Sequence, residues 1–249
     1  TVQGIEAGLS LRMGMLQGFA THSFHYGAGE EWENEWEEAF LKLRDLPGGF
    51  EVRGGRMLAR FGRHNAQHLH AWDFVDMPLA WGRFLGDDGL ISDGGDVTWM
   101  KHGIGTTYGA TVGYGEAKTH EHAHHEEGEE HAEGTTFADD VISGRVFGRY
   151  EQDESRSLEA GVSAALGEAE AGQDLAVYGA DFSYTWQEAG IAATDRSLTW
   201  LTEILYRDIG EDDEHHDHEE EPSGDSAVGF YSPLPFPAGR DFDAAVRVW

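Results

Sequence analysis

The chain is 249 residues long, enough for one large domain, and an all-β barrel of this size is commonly a single domain. Seventeen Lys and Arg stand against 47 Asp and Glu, a net charge of −30; phosphate binding needs a basic face, so a nucleic-acid partner is excluded and cations are the favoured ligands. Cysteine is absent, which excludes disulfides and thiolate metal sites together and leaves any metal to histidine and carboxylate.

No apolar run approaches the roughly 20 residues of a membrane helix, and Thr1 begins without a basic-then-apolar leader. Either the chain is cytoplasmic or a leader has been removed. The first element already has a period of two. Ile5, Ala7, Leu9, Leu11, Met13 and Met15 fall on one face, with Glu6, Gly8, Ser10, Arg12 and Gly14 on the other. Trp32, Trp36, Phe40 and Leu43 lie at helical spacing, so Glu30 to Leu46 reads either as an amphipathic helix or as the start of a hairpin. The Asp45-Leu-Pro-Gly-Gly49 turn favours a hairpin of Glu38 to Arg44 with Phe50 to Leu58.

Residues 59–95 then read as a long ordered loop, rich in Gly, aromatic residues, Arg and His and without a clean period. Strand spacing returns at Asp96 to Met100, at Tyr108, Ala110, Val112 and Tyr114, and at Val141 to Glu151. It continues through Leu158, Ala160, Val162, Ala164 and Leu166, through Ala176 to Trp186, and through Leu198 to Arg207. The opposite faces carry Gly, Ser and Thr with Glu159, Asp181 and Glu203. Strands of a soluble sandwich average about 5 to 6 residues, whereas transmembrane barrel strands need about 9 to 11, an apolar outer face with aromatic girdles and a polar lumen. The expected fold is therefore all-β: an antiparallel transmembrane β-barrel of about 10–12 strands spanning 1–249, with a soluble barrel or sandwich as the alternative. Asp243 to Trp249 is a last candidate strand. Its aromatic end suits an outer-membrane barrel, but Ala244, Val246 and Val248 face away from Trp249, so the ending is unusual or the native chain continues.

Two acidic, His-rich loops interrupt the strands, at 116–140 and 208–228. Residues 116–140 hold nine acids and one Lys, and 208–225 hold ten acids and no Lys or Arg, so together they supply −18 of the −30. Their histidines, His120, His122, His124, His125 and His131 in the first and His215, His216 and His218 in the second, are candidate metal ligands. Neutral imidazole and carboxylate suit zinc and its neighbours, and no zinc-finger or HExxH spacing is present. Interchangeable chelates fit capture better than catalysis, against the plain reading of a solubilising loop. His64, His68 and His70 form a further group, with His68 and His70 candidate ligands on one face near Asp73 and Asp76; a packed loop beside Trp72 and Phe74 is the alternative. Arg60, Arg63 and Arg83 are expected to pair with loop acids or line the pore.

The block from Trp36 to Trp99 carries Phe61, Gly62, Arg63, Asn65, His68, His70, Trp72, Phe74, Val75, Asp76, Pro78 and Leu79, then Arg83, Phe84, Gly86, Gly89 and Leu90. In these residues it resembles a family of bacterial outer-membrane proteins described as zinc-regulated and TonB-dependent-receptor-like, and the likeness extends more weakly to Tyr178 to Arg207. The resemblance implies a porin-type barrel in the bacterial outer membrane with a long loop after the first hairpin, and no catalytic residue. A TonB-dependent receptor needs 22 strands and a plug domain, more than 249 residues supply, so the expectation is a smaller barrel.

The expected function is an outer-membrane channel or receptor that captures divalent metal, zinc favoured, and passes cations along a polar lumen. Its expected partners are membrane lipid and divalent ions, with a protein partner left open, and it is not an enzyme. The alternatives are a structural or assembly barrel that binds calcium or magnesium, and a soluble periplasmic metal buffer.

Overall fold

The computed structural model describes residues 4–26, 32–67, 78–86, 88–118, 136–169, 172–187, 197–210, 225–232, 234–237 and 243–246. Eleven antiparallel strands follow one another as neighbours in a single meander: β1 (Gly4–Met13), β2 (Leu16–Tyr26), β3 (Trp32–Leu46), β4 (Phe50–Leu58), β5 (Ile91–His102), β6 (Thr106–Lys118), β7 (Asp140–Asp153), β8 (Arg156–Glu168), β9 (Asp174–Gln187), β10 (Ser197–Ile209) and β11 (Asp225–Tyr231). A separate hairpin pairs β12 (Leu234–Pro237) with β13 (Asp243–Val246). One short helix, α1 (Leu79–Leu85), lies in the connection between β4 and β5.

Alternation sets the two faces of the wall. Val97, Val112, Val146, Val162 and Ile204 are exposed on its outside. Exposed aromatics flank them at two levels, with Trp36, Tyr114, Tyr178 and Tyr206 towards one end and Phe50, Tyr108, Tyr150 and Trp200 towards the other. Tyr108 and Tyr114 bracket Val112 on one strand, and their six-residue separation is about 20 Å at about 3.4 Å per residue. At a strand tilt of about 40° that spans roughly 15 Å across the membrane, inside the apolar band, about 25 Å tall, of an outer-membrane-type barrel. In water so continuous an apolar exterior would be a large unburied patch; against lipid it is the expected surface.

The sheet curls around an insert formed by residues 59–67 and 78–90. Glu38 on β3 accepts a hydrogen bond from the Leu58 amide at the root of that insert (2.9 Å). A Cβ at Gly229 on β11, eight strands further along the order, would lie 2.2 Å from Ala80 Cβ on α1. Strands far apart in the order thus face one body. Phe61, Trp81, Phe84, Leu85 and Leu90 of the insert pack against Ala117, Val141, Ala165, Leu175, Val177, Leu205 and Ile209 of the wall, a buried apolar core inside the barrel.

Several boundaries differ from the sequence expectation. Ile5 to Met15 is not one strand: Gly14, at φ +60°, turns the chain, and β2 follows. The helical spacing in Trp32 to Leu46 belongs to a strand with a bulge. His22 pairs with Trp36 and Thr21 with Glu38, so Glu37 is the extra residue, and the alternation shifts by one beyond it. Trp32 and Trp36 before the bulge and Leu41 and Leu43 after it are therefore all exposed, while Phe40 is only partly so. The long connection ends at Leu90 rather than residue 95, because β5 begins at Ile91. Gly94 and Gly95 read as loop residues, but β6 approaches so closely that a Cβ at Gly94 would lie 2.2 Å from the Tyr114 carbonyl oxygen. The β3–β4 turn is tight in the same way: Gly49, at φ +84°, leaves no room for a side chain, whose Cβ would lie 2.1 Å from the Met100 carbonyl oxygen.

Candidate functional site

Strand direction sorts the connections. β2, β4, β6, β8 and β10 all run towards one end, where residues 59–90, 119–139 and 210–224 connect to the next strand. At the other end β1–β2, β3–β4, β5–β6 and β7–β8 are joined by two or three residues each. The insert fills the lumen on the long-connection side.

Its attachment is polar as well as apolar. The Gly62 amide donates to Ser163 Oγ (2.9 Å), and the Arg63 and His64 amides both donate to Glu203 Oε1 (2.7 and 3.0 Å). Gly62, at φ +58°, turns the chain there. The Asn65 side chain ties the two ends of the insert together: its Nδ2 donates to the carbonyls of Ala59 (2.8 Å) and Leu90 (3.0 Å), and its Oδ1 accepts from the Leu90 amide (2.8 Å). Buried backbone groups that no strand could satisfy are thereby paired. Phe61 fits because the wall opposite is Gly179, whose Cβ would lie 3.1 Å from the Phe61 ring. His64 is buried beside Trp81 (ring centroids 5.4 Å apart) and Tyr231 (5.7 Å), on the packed side of the alternatives for that histidine.

Below the insert the inward face is a charge network. Arg145 on β7 reaches Asp181 on β9, donating through Nε to Oδ2 (3.2 Å) and through Nη2 to Oδ1 (2.5 Å), and Nη2 also donates to Glu159 on β8 (3.1 Å). Glu159 in turn meets Arg63 of the insert at 2.9 Å, which joins the network to the plug. A second group lies on β3 to β5, where Arg53 Nε donates to Asp96 (2.9 Å), Arg60 pairs with Glu51 and Thr98, and Lys42 approaches Glu51 at 3.5 Å. Glu159, Asp181 and Glu203 do face inward, as their parity implied, but they are engaged by arginine or by plug amides rather than lining an open negative path. Arg60 and Arg63 pair with the strand acids Glu51 and Glu159 rather than with loop acids; the Arg83 carbonyl accepts from Arg207 Nη1 (3.3 Å).

Arg145→Met is expected to cost about 3–5 kcal/mol of stability, because it strands Asp181, whose side chain is 2% exposed, without its cation, while Glu159 keeps only Arg63. The midpoint of urea unfolding in detergent micelles measures it. Adding Asp181→Asn should recover most of the loss, since the stranded carboxylate is then neutral and Glu159 keeps its pair with Arg63. A single-variant loss below about 1 kcal/mol would show that water already compensates these acids.

The ten candidate metal ligands, His68, His70, His120, His122, His124, His125, His131, His215, His216 and His218, lie outside the described residues. Among the described residues no group of three or more His, Cys, Asp or Glu could hold a metal ion. What is described is where the His-rich runs are rooted. The Ala117 amide donates to the Asp139 carbonyl (2.9 Å), and the Gly210 amide to the Asp174 carbonyl (2.8 Å), so β6 and β10 are fastened to their neighbours at the ends where the runs begin. Both roots are on the plugged side. The polar anchors Ser163 and Arg145 were not singled out from sequence, where inward parity on β8 and β7 was the available signal; Asn65 stood among the residues of the resemblance, with no role attached.

No protein-family model matches the chain. A stretch of 64 residues is 47% identical to an uncharacterized protein of Aquifex aeolicus (strain VF5), and it makes up 26% of this chain but only 13% of that relative's length. Among solved structures, the chain is similar to OmpTdeltaL8, a loop L8 deletion mutant of OmpT, an outer membrane protein of Vibrio cholerae. That likeness has a TM-score of 0.44 at 11% identity and covers 93% of this chain and 78% of the other.

Proposed function

We propose that the chain is the barrel of a bacterial outer-membrane receptor or gated channel, whose plugged mouth gathers divalent cations, zinc favoured, through the two acidic His-bearing runs. The observation that carries the reading is directional: β6 and β10 are parallel in the meander, so both runs leave the wall at the rim that the insert closes. Four of the five connections at one end are turns of two or three residues, the fifth having nine, and the longest connections are at the other; this resembles the periplasmic and extracellular sides of outer-membrane barrels and supports runs that face outside the cell. A concentrated negative field at that rim raises the local cation concentration. Imidazole then supplies the preference for zinc over calcium. The filled lumen supports capture followed by regulated passage rather than a standing pore. The exposed apolar exterior favours this over a soluble metal buffer.

Calorimetric zinc titration of the detergent-solubilised protein tests the reading. Micromolar binding is expected at pH 7.5, weakening steeply as pH falls towards about 6, because protonated imidazole cannot ligate. Zinc binding that persists unchanged at pH 5.5, or that calcium displaces at equal concentration, would assign the cation to carboxylates alone.

One observation favours a second reading. Glu116 and Asp140 stand opposite each other on β6 and β7, and Glu168 and Asp208 are exposed at the same end of β8 and β10. A row of carboxylates just beyond the aromatic level suits calcium or magnesium bridging to anionic headgroups, as in a structural barrel. Stability that depends on calcium but ignores zinc would select it.

A further inference from the structure

β1 and β11 end the meander, and both run away from the plugged rim, so they cannot pair with each other in an antiparallel wall. An antiparallel ring needs an even number of strands. Among the described residues no strand pairs with the second edge of β1, and Ile5 to Met13 are exposed on both faces. Hydrocarbon offers no partner for the amides and carbonyls along such an edge, so a wall that spans lipid has to cover it. The hairpin of β12 and β13 has the direction to do so. Tyr231 pairs with Glu203 at the end of β11, and the next residue, Ser232, accepts from Trp200 Nε1 (3.1 Å) and lies 2.8 Å from Thr202 Oγ1. β12 then lies against β10 rather than folding back along β11. It therefore prolongs β11 in the same direction, and β13, antiparallel to it, runs towards the plugged rim. Pairing with β1 requires that direction. Pro235 and Pro237 are two positions apart, so they strip one edge of β12 of amide donors and leave the other for the ladder to β13. That accounts for a β12 that touches β10 without joining its ladder, and it holds β13 on the far side from β10.

We propose that β13 pairs with the second edge of β1 and closes the wall as a ring of twelve strands, in which β11 and β12 together make the eleventh. The sequence of β13 alternates as a closing strand must, with Ala244 and Val246 for the lipid and Asp243 and Ala245 for the lumen. A second copy is the poorer occupant. In a two-fold contact β1 would meet β1 of the other copy, again antiparallel, but the outer edge of β13 would stay open in both. The edge of β1 is thus an internal seam rather than a docking site for a foreign strand, and it seals the insert from lipid on the side that the meander leaves open.

The chain has no cysteine, so engineered disulfides read the seam without interference. A disulfide needs Cα atoms about 4.4–6.8 Å apart, which only directly opposed residues satisfy. With Ala245 on the lumen side, its opposite number on β1 is Glu6, Gly8, Ser10 or Arg12. Ala245→Cys is therefore combined in turn with Glu6→Cys, Gly8→Cys, Ser10→Cys and Arg12→Cys in the full chain in detergent micelles, and each pair is oxidised with copper phenanthroline. One of the four is expected to form an intramolecular disulfide at least tenfold faster than the rest, read as a monomer mass lower by two hydrogens and as loss of thiol alkylation. Leu9→Cys with Ala245→Cys, on opposite faces, should react as slowly as the unopposed pairs. A Cβ at Gly8 meets only Thr21 Cγ2 at 3.6 Å, an ordinary contact, and circular dichroism of the reduced variants confirms that they fold. The proposal falls if no pair closes, if the opposite-face pair closes as fast, or if Ser10→Cys alone links two copies as fast as any pair links one. The readout uses no metal, so a failure of zinc capture leaves it standing.

Discussion

Trp81→Ala is expected to loosen the plug while leaving the wall standing. Trp81 is 1% exposed on α1, edge-on to Phe61 with ring centroids 6.0 Å apart and beside His64. Truncating a buried Trp to Ala costs about 3–5 kcal/mol, and here the loss falls on the insert, because the strands of the wall keep their backbone ladders. Two readouts separate the effects. Urea unfolding in micelles should show an early transition that wild type lacks, followed by the unfolding of the barrel. In planar bilayers the variant should conduct in bursts, since the insert fills the lumen on the long-connection side. Val162→Ala, facing outward on β8, should leave both readouts near wild type. A Trp81 variant with one unshifted transition and no conductance would mean that the plug core does not close the barrel.

Replacing residues 120–134 and 211–223 together by short Gly-Ser linkers is expected to abolish micromolar zinc binding. The barrel should persist, because the strand ends on either side of each run are already neighbours, Ala117 bonded to Asp139 and Ile209 paired with Asp225, so short linkers suffice. The change removes eight of the fourteen histidines. Calorimetry reads the metal, and circular dichroism with the urea midpoint reads the fold. If zinc binds the shortened protein as tightly as wild type, the runs are solubilising loops and the capture reading fails. A loss of folding with retained binding would equally overturn it, by placing the ligands elsewhere and giving the runs a structural role.

The barrel was legible wherever one face is uniformly large and the other small. Tyr108 to Tyr114, Leu158 to Leu166 and Leu198 to Tyr206 gave both strand and facing, because lipid selects one parity and the lumen the other. β2 was not legible: its outward residues Gly18 and Ala20 line the recess instead of projecting, so the alternation loses its contrast. β3 resembled a helix because its bulge at Glu37 shifts the period midway. The plug left a signal that was misread. Val177, Leu205 and Ile209 have inward parity on β9 and β10, where a water-filled lumen would want polar residues; they share one buried cluster with Phe61, Trp81 and Leu85, more than ninety positions earlier in the chain. No local pattern carries that pairing. The acids Glu159, Asp181 and Glu203 were visible as lumen residues, but their arginine and amide partners come from other strands and from the insert, and reversed the expectation of an open cation path.

The bonds that fasten the insert also constrain how the protein is made. The amide of Gly62 is held by a residue 101 positions later, and those of Arg63 and His64 by one 140 and 139 positions later. Closing loops of that length precedes any gain from the contacts they permit, which places such topologies among the slow folders. The insert must therefore wait, with Phe61, Trp81 and Phe84 uncovered, until β8, β9 and β10 have been synthesised and aligned. During that interval the aromatic segment stays uncovered, which makes the stage before the last strands join the one most open to aggregation.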